Sequence, residues 1–373
     1  MLGTTGWTAV QPHGVTNVRT AALAAWAHGT IGARKLPSPD SAPGRIALFF
    51  ATLTAAQRRT LADRYPLVVG NLNGAPLTLR YRANRKALVE ARATELARTR
   101  SDLLTPAGRD LAEQLTDRYT SLLGHGRQIL AFDPTGVGKV AEVFGDLGSA
   151  RRVSIVVPGV DTDVLRFERT AKPYTALDGM ARALYAQERR DTPRARTAVI
   201  AWGDYTTPSG VDLEASTGNL AARGAIRLRA LLTALPQHRD VALFCHSYGS
   251  VLCGVAASDL APGQVSDIAV FGSPGMRAGH VSDLHTSAHV WAARDDGDWI
   301  SDVPHLEFAG LGHGADPMSQ SFGARQISAA GAQGHPGYFA PGTASLANFA
   351  RIGLGDYPAV ACRDGHPHCA MGL

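Results

Sequence analysis

The sequence has little lysine and little charge of either sign. Only four of its 373 residues are lysine, so arginine supplies nearly all of the 37 basic residues, and charged residues make up 18% of the chain. The formal net charge is +5, and the basic residues are scattered along amphipathic segments. A nucleic-acid-binding protein more often concentrates them in one stripe with interleaved aromatic residues. The composition therefore argues against a nucleic-acid partner.

Long apolar runs are also missing. No run approaches the ~18 residues that a membrane-spanning helix needs, although 45% of the residues are hydrophobic and can furnish a large core. Residues 18–33 faintly resemble the hydrophobic part of a secretory signal. They begin well inside the chain and include His28, so we predict an amphipathic helix there. The sequence predicts a soluble protein without a transmembrane segment.

Cysteine is scarce as well, and four cysteines do not make a disulfide scaffold in a chain of this length. Cys245 and Cys253 stand among apolar residues, which predicts two buried thiols. Cys362 and Cys369 are close enough in sequence to bridge a small C-terminal loop. We predict a cytoplasmic location. The alternative is a secreted protein, if that bridge forms and a signal has been removed.

The two parts of the chain follow different patterns. Residues 1–124 show helical periodicity and almost no strand pattern. For example, Thr54 followed three residues later by Gln57 predicts a capped helix that ends before Pro66. From residue 125 short β-rich runs alternate with long amphipathic segments. We predict a helical N-terminal region over residues 1–124, packed on a catalytic domain over residues 125–373.

The β-rich runs predict an α/β fold. Several of them, such as RVSIVV, TAVIAWG and DVALFCH, are almost continuously apolar, as are strands buried on both faces of a mostly parallel sheet. The segments between them are long enough to be crossover helices. The first two runs, RQILAFD and GKVAEVFG, are separated by a turn containing Pro-Thr-Gly, which predicts an antiparallel hairpin. We therefore expect a mostly parallel sheet flanked by helices.

Ser247 is the strongest candidate for a catalytic residue. It stands where the run DVALFCH ends and a helical segment begins, and open α/β sheets bind their ligands beyond the carboxyl ends of the strands. The surrounding C-H-S-Y-G approximates the G-x-S-x-G nucleophile elbow, with Cys245 in place of the first glycine and Gly249 retained. A structural serine in a buried corner is the alternative. We predict that Ser247 is a nucleophile.

An acid and a base should follow such a serine in that order along the chain. A carboxylate-rich loop follows the run HVWAA, and we prefer Asp298 as the acid, with Asp295 and Asp296 as alternatives. We prefer His335 as the base because it follows a strand-like segment, and His313 is its rival. Each of these histidines could instead be an ordinary loop residue bonded to backbone.

Each of these residues would have its own role in acyl transfer. A serine hydroxyl is a poor nucleophile near neutral pH, so an imidazole must accept its proton, and a carboxylate must orient that imidazole. The tetrahedral oxyanion also needs hydrogen-bond donors. We predict the backbone N–H groups of Tyr248, directly after the serine, and of Val160, in the PGVDTD loop. No cofactor is predicted.

One histidine-rich segment offers a metal site as an alternative. His280, Asp283, His285 and His289 lie close together in sequence, but they lack a rigid spacing such as H-E-x-x-H. We interpret the segment as a polar loop and predict no metal.

Several motifs together resemble a known family. The chain is similar, from about Thr52 to Gly355, to an actinobacterial α/β-hydrolase family of unassigned function, in which a helical N-terminal region precedes a serine-hydrolase domain. The segments that carry the resemblance include VVPGVDTD, CHSYGSVLCG, VFGSPGM, GHGADP and GHPGYF. Such proteins usually carry G-H-S-Y-G-S, so Cys245 is a departure from the pattern. The resemblance implies a triad of Ser247, an aspartate of the DDGDW loop and His335, but it implies no substrate.

The leading hypothesis is therefore a serine hydrolase, carboxylesterase-like or lipase-like, that cleaves a small-molecule ester through an acyl-enzyme. An amidase or peptidase with the same triad is the nearest rival. A non-catalytic relative that binds a lipid or a protein is the alternative from another class. The mouth of the pocket is expected to be lined by apolar residues near the motifs, each of which could equally belong to the core: Tyr248, Met276, Trp299, Phe322, Tyr338 and Phe339. The sequence leaves the oligomeric state open.

Overall fold

The N-terminal part of the computed structural model is helical. The structure describes residues 17–210, 214–236, 239–303, 307–308 and 311–373. A short antiparallel pair, β1 (Thr30–Ile31) and β2 (Arg34–Lys35), accompanies the helices α1 (Val18–Ala27), α2 (Pro43–Ala51), α3 (Ala55–Arg64), α4 (Pro66–Val69), α5 (Leu77–Arg98) and α6 (Pro106–Leu122). The predicted cap of α3 is confirmed, because the Gln57 N–H donates to the Thr54 hydroxyl at 3.2 Å and the Thr54 N–H to the Gln57 side chain at 3.0 Å.

An eight-stranded sheet follows. Its strands are β3 (Gln128–Asp133), β4 (Lys139–Gly145), β5 (Arg152–Val157), β6 (Thr197–Gly203), β7 (Asp240–His246), β8 (Asp267–Phe271), β9 (His289–Ala293) and β12 (Arg325–Gln326). They lie in the order β12-β9-β8-β7-β5-β6-β4-β3. The pairs β3–β4 and β4–β6 are antiparallel and all the others are parallel, which confirms both the mostly parallel sheet and the opening hairpin. A separate hairpin joins β10 (Glu307–Phe308) to β11 (Leu311–Gly312).

Helices cover both faces of this sheet. They are α7 (Leu177–Asp191), α8 (Asn219–Ala234), α9 (Tyr248–Ala257) and α10 (Ala344–Leu354), with short 3₁₀ segments in the connections. Alternate strand residues belong to two different cores: Leu243 packs with α8 and α9, and Phe244 packs with α7 and α10. This is why the strands are apolar along their whole length. Among the described residues, no helix is long and apolar enough to cross a membrane.

The helical region covers the edge of the sheet that β3 forms. Asn84 of α5 donates to the Ile129 carbonyl of β3 at 2.9 Å. Asn71 donates to the Phe132 carbonyl at 2.7 Å and accepts from the Phe132 N–H at 3.0 Å. An edge strand that is paired with side chains in this way offers fewer unpaired backbone groups to another chain. The division of the chain at residue 124 stays a prediction.

The prediction of thiols at Cys245 and Cys253 is wrong. Both side chains are fully buried, as expected, but they form a disulfide whose Cα atoms are 6.5 Å apart. The chain reverses at Ser247, so α9 runs back over the end of β7 and carries Cys253 onto Cys245. A linear reading of the sequence does not show this approach. The bridge between Cys362 and Cys369, which the sequence left as an alternative, is present, with Cα atoms 5.6 Å apart.

Candidate active site

Ser247 occupies a strained turn between β7 and α9. Its backbone has φ 52° and ψ −126°, a conformation that residues with a side chain rarely adopt. Two backbone hydrogen bonds hold it, from the Ser247 N–H to the Phe271 carbonyl at 3.0 Å and from the Ser250 N–H to the Ser247 carbonyl at 2.8 Å. The turn brings the serine to the carboxyl edge of the sheet. Backbone strain of this kind is concentrated at functional sites.

The turn touches the loop after β5. A side chain at Gly159 would put its Cβ 2.6 Å from the Ser247 Cβ and 3.1 Å from its Oγ, so only glycine fits there. Val160, the next residue, lines the same cleft as Ser247. The N–H groups of Val160 and Tyr248 donate to no group that the structure describes. Two unpaired donors are therefore available near the serine hydroxyl.

Asp298 and His335 form a hydrogen-bonded pair. The His335 Nδ1 lies 2.9 Å from Asp298 Oδ1 and 3.1 Å from Oδ2. The carboxylate also accepts from the Tyr338 hydroxyl at 2.6 Å and from the Ile300 N–H at 2.9 Å. An ionised carboxylate can only accept, so Nδ1 carries the proton and Nε2 of the neutral ring is left as an acceptor.

The environment keeps Asp298 charged although it is only 1% exposed. Burial acts to raise the pKa of this carboxyl group, but the hydrogen bonds and the charge of His335, together with the Tyr338 hydroxyl, outweigh it and lower the pKa below its usual value. A carboxylate ionised at neutral pH is suited to stabilise an imidazolium beside it.

The other two acidic candidates are placed differently. Asp295 accepts from the Gly334 N–H at 2.8 Å and from the Gly297 N–H at 3.2 Å, so it joins the acidic loop to the histidine loop. The side chain of Asp296 is 96% exposed and lies 3.6 Å from Arg363. Neither of them forms a hydrogen bond with His335 in the described structure. Of the three, only Asp298 is in position to orient this ring.

His313 lies behind the turn rather than at the cleft. It is buried, its Nε2 is 2.8 Å from the Ala215 carbonyl, and its ring meets the Tyr248 ring edge-on with centroids 5.7 Å apart. It is therefore part of the packing that supports α9.

The histidines considered for a metal site have other hydrogen-bond partners. His280 bonds to the Ser321 carbonyl, and His289 bonds to the Asp267 carboxylate. The described residues contain no group of His, Cys, Asp and Glu side chains arranged to hold a metal.

His246 is a residue of the site that the sequence did not single out. It is buried, its ring centroid lies 4.7 Å from that of His335, and its Nε2 is 2.9 Å from the His335 carbonyl. Burial, assisted by the neighbouring His335, lowers the pKa of His246 to about 3. The ring is therefore neutral and donates to that carbonyl. The sequence feature that could have identified His246 is its position directly before Ser247 in C-H-S-Y-G.

Ser247 and His335 border one cleft of about 200 Å³. No hydrogen bond joins these two described residues, and such bonds often tighten only when a substrate is bound. The remaining walls come mostly from the loop after β5 and the start of α7, including Thr162, Arg166, Arg169 and Met180. Of the six apolar residues considered for the lining, five are buried in the core, which is the alternative that the sequence left open for them: Tyr248, Met276, Phe322, Tyr338 and Phe339. Trp299 alone is exposed, at 44%, and its ring centroid is 4.7 Å from that of His335.

Comparison with known families agrees with this topology. Residues 133–308 match the model of a family described as alpha/beta hydrolase. The sheet has eight strands, mostly parallel, with helices on both faces. The chain has the α/β-hydrolase fold. In such hydrolases the nucleophile stands on the turn between a strand and a helix, which is where Ser247 lies here.

The relatives of this chain include mycobacterial proteins without an assigned function. An uncharacterized protein of Mycobacterium tuberculosis is 26% identical over 384 residues, covering 88% of this chain and 58% of that protein. An uncharacterized protein of Mycobacterium bovis is 32% identical over 163 residues, covering 41% of this chain and 58% of that protein. The chain thus spans little more than half the length of these relatives. The resemblance to an actinobacterial family is confirmed.

A solved structure with a similar fold is that of 2,6-dihydroxy-pseudo-oxynicotine hydrolase. It is 11% identical, the match covers 70% of this chain and 86% of that one, and the TM-score is 0.31. A serine hydrolase without a lid from Xanthomonas campestris is 14% identical over 63% of this chain and 96% of that one, with a TM-score of 0.31. Likenesses this distant carry no argument about the site.

Proposed function

We propose that this protein is a serine hydrolase, carboxylesterase-like or lipase-like, that cleaves an ester through an acyl-enzyme. One observation carries the proposal: Ser247, on a strained turn, borders the same cleft as the hydrogen-bonded pair of Asp298 and His335. A purely structural corner serine has no need of strain or of a carboxylate–histidine pair beside it.

The proposed reaction has two balanced halves. In the first, Ser247 Oγ attacks the ester carbonyl while His335 Nε2 takes the hydroxyl proton, and the imidazolium then gives that proton to the departing alcohol. In the second half, water attacks the carbonyl of the acyl-enzyme and gives a proton to His335 Nε2. That proton returns to Ser247 Oγ as the carboxylic acid product leaves. Asp298 remains ionised throughout and stabilises the imidazolium.

The oxyanion is assigned to backbone donors. The N–H of Tyr248 is at the beginning of α9, where it has no partner within the helix, and the N–H of Val160 follows Gly159. Fixed donors at a site that excludes water stabilise the tetrahedral intermediate more than they stabilise the ground-state carbonyl. The Tyr248 side chain takes no part, because its hydroxyl donates to the Thr217 carbonyl at 2.8 Å inside the core.

The size of the cleft suggests a short acyl group. A volume of about 200 Å³ is below the range of roughly 300–1,000 Å³ typical of pockets for drug-sized ligands. We therefore expect acetyl and butyryl esters to be better substrates than long-chain esters. Hydrolysis of a matched pair of ester and amide substrates would separate the esterase from the amidase hypothesis, because both use the same triad.

The location of the protein is also a proposal. Disulfides are rare in cytosolic proteins, where thiols are kept reduced, and this chain pairs all four of its cysteines. The two bridges favour the secreted alternative over the cytoplasmic prediction. Labelling of free thiols in protein isolated from cells under acid quench would separate the two.

The test is the reaction of the purified chain with a fluorophosphonate probe, followed by mass mapping of the labelled peptide. We expect the label on Ser247, and we expect Ser247→Ala to lose on the order of 10⁶ in kcat on short p-nitrophenyl esters. Ser258→Ala, on the exposed end of the same helix, is the matched control and should keep full activity. If Ser247→Ala keeps its fold and still hydrolyses these esters at the wild-type rate, the proposal is overturned.

A further inference from the structure

A second cavity lies between the N-terminal helices and the sheet, away from the cleft. Its volume is about 300 Å³, and its walls come from the start of α2, the loop before α5, the loop between β4 and β5 and the end of α8. Most of the lining is apolar and includes Ala75, Leu77, Leu130, Leu147, Leu231 and Leu235. None of its lining residues borders the cleft of Ser247.

Two arginines line this cavity, and each is largely buried. Arg80 is 4% exposed and Arg239 is 7% exposed. Arg80 donates to the Gly70 carbonyl at 3.2 Å and to the Asn73 side chain at 3.1 Å, and Arg239 donates to the carbonyls of Leu147 and Gly148. Within the described ranges neither guanidinium forms an ion pair with a carboxylate. Two positive charges therefore share an apolar cavity without a counter-charge in contact with them.

The hydrogen-bonding capacity of these groups is also not exhausted. Arg239 Nε is buried without a partner among the described residues. Arg80 Nη2 also donates to none of them, although it keeps some exposure to solvent. Burial lowers the pKa of the Arg80 guanidinium to about 10, because the loss of hydration outweighs the attraction of the Asp204 carboxylate. Buried charges are normally paired, and a buried donor without an acceptor costs stability.

A fixed backbone contact forms one wall. Gly74, which lines the cavity, has φ 94°, and a Cβ there would overlap the carbonyl of Pro43 at the start of α2. The loop before α5 and the beginning of α2 are thus in direct contact. This contact forms part of the cavity wall from backbone rather than from movable side chains.

We propose that this cavity is a second binding site, for a small monocarboxylate with an unbranched apolar tail. A guanidinium fork matches the two oxygens of a carboxylate, and the leucine-rich walls match a hydrocarbon chain. The volume corresponds to about ten water molecules at ~30 Å³ each, enough for a chain of about six to ten carbons. The carboxylate binds between Arg80 and Arg239. This inference does not depend on the proposed hydrolase activity.

The test is isothermal titration of the full chain with octanoate, octanol and acetate. We expect one octanoate per chain, and at least about tenfold weaker binding of octanol, which lacks the charge, and of acetate, which lacks the tail. Arg239→Met should weaken octanoate binding by about tenfold or more, the usual effect of losing a hydrogen bond to a charged group. The matched control is Arg229→Met, which removes a charge from the exposed face of α8 and should bind octanoate as the wild type does.

A second variant keeps the test decisive if Arg239→Met does not fold. Ala234→Phe adds bulk at a half-buried lining position, retains both arginines, and should also weaken octanoate binding by about tenfold or more. Binding of octanoate that survives in Arg239→Met or in Ala234→Phe would assign it to another site and overturn the proposal. Equal affinity for octanoate and octanol, or no binding of octanoate below its micellar concentration, would do so as well.

Discussion

Two glycine-rich loops of this protein each carry a histidine, and the two histidines differ in what they contact. His335 presents Nδ1 to the Asp298 carboxylate, and His313 places Nε2 against the Ala215 carbonyl. The carboxylate can stabilise a positive ring and leaves Nε2 to the cleft, whereas the carbonyl occupies Nε2 itself. Suitability as a base therefore depends on the partner and on access to the cleft, not on the composition of the loop.

The largest expected effect comes from removing one histidine or the other. His335→Ala should lose on the order of 10⁶ in kcat, nearly as much as Ser247→Ala, because the two residues act as a unit. His313→Ala should keep kcat within about tenfold and lose stability instead, because its buried ring packs on Tyr248. Steady-state kinetics and thermal unfolding of the two variants check this. The reverse order of activities, or additive losses in the double variant with Ser247→Ala, would move the base to the His313 loop.

The acidic loop gives the second comparison. Asp298→Asn should lower kcat by about 10⁴, because an amide favours the wrong tautomer of the ring while filling nearly the same volume. Asp295→Asn should cost about tenfold, since it weakens the bonds that join this loop to Gly334. Asp296→Asn, at an exposed position, should match the wild type and serves as the control. If kcat of Asp295→Asn falls below that of Asp298→Asn, the acid has been assigned to the wrong residue.

Two tyrosines, one on each side of this comparison, should have smaller effects on kcat. The Tyr338 hydroxyl donates to Asp298 at 2.6 Å, so Tyr338→Phe should lower kcat by about tenfold with KM nearly unchanged. The Tyr248 hydroxyl instead bonds the Thr217 carbonyl on the side of His313. Tyr248→Phe should change kcat by less than about threefold and lower stability by about 1 kcal/mol. Equal kinetic losses in the two variants would show that Tyr338 acts through packing alone.

The smallest expected effect concerns stability in acid. The pKa of Asp298 is lower in the folded protein than its usual value of 3.8, so the folded state binds this proton more weakly than the unfolded state. The resulting stabilisation is complete above that usual value and is lost as the pH falls through the folded-state pKa. Denaturant unfolding should therefore show a steeper loss of stability below pH 4 in the wild type than in Asp298→Asn. Parallel curves for the two proteins would contradict this account.

Much of the fold could be predicted from the sequence because its signals are local. Buried parallel strands are apolar along their whole length, and the hairpin of β3 and β4 has its own turn. The strand-to-helix turn at Ser247 follows from the same patterns. The pairing of His335 with Asp298 was also expected, because this fold brings the loops after its last strands to one edge. Their roles in catalysis stay predictions until the variants are measured.

The features that were missed depend on how distant segments meet. The bridge of Cys245 and Cys253 requires α9 to reverse over β7, and the contribution of Tyr338 requires the histidine loop to pass beside the acidic loop. The lining of the cleft was predicted from aromatic residues near the motifs, but most of these rings face the core. Which face a side chain takes at the end of a strand is decided by the packing of the helices above it, and the motif alone does not contain that information.

The contact of Trp299 with His335 gives the site an optical property. A protonated imidazole quenches the fluorescence of a neighbouring indole more strongly than a neutral one does, and these two rings lie with centroids 4.7 Å apart. Trp299 is half-exposed and lies beside His335, which lines the cleft, so its emission should also respond to a molecule bound against that histidine. Since the chain has five tryptophans, the difference in emission between the wild type and Trp299→Phe should report the environment of His335 and binding beside it, before any substrate has been identified.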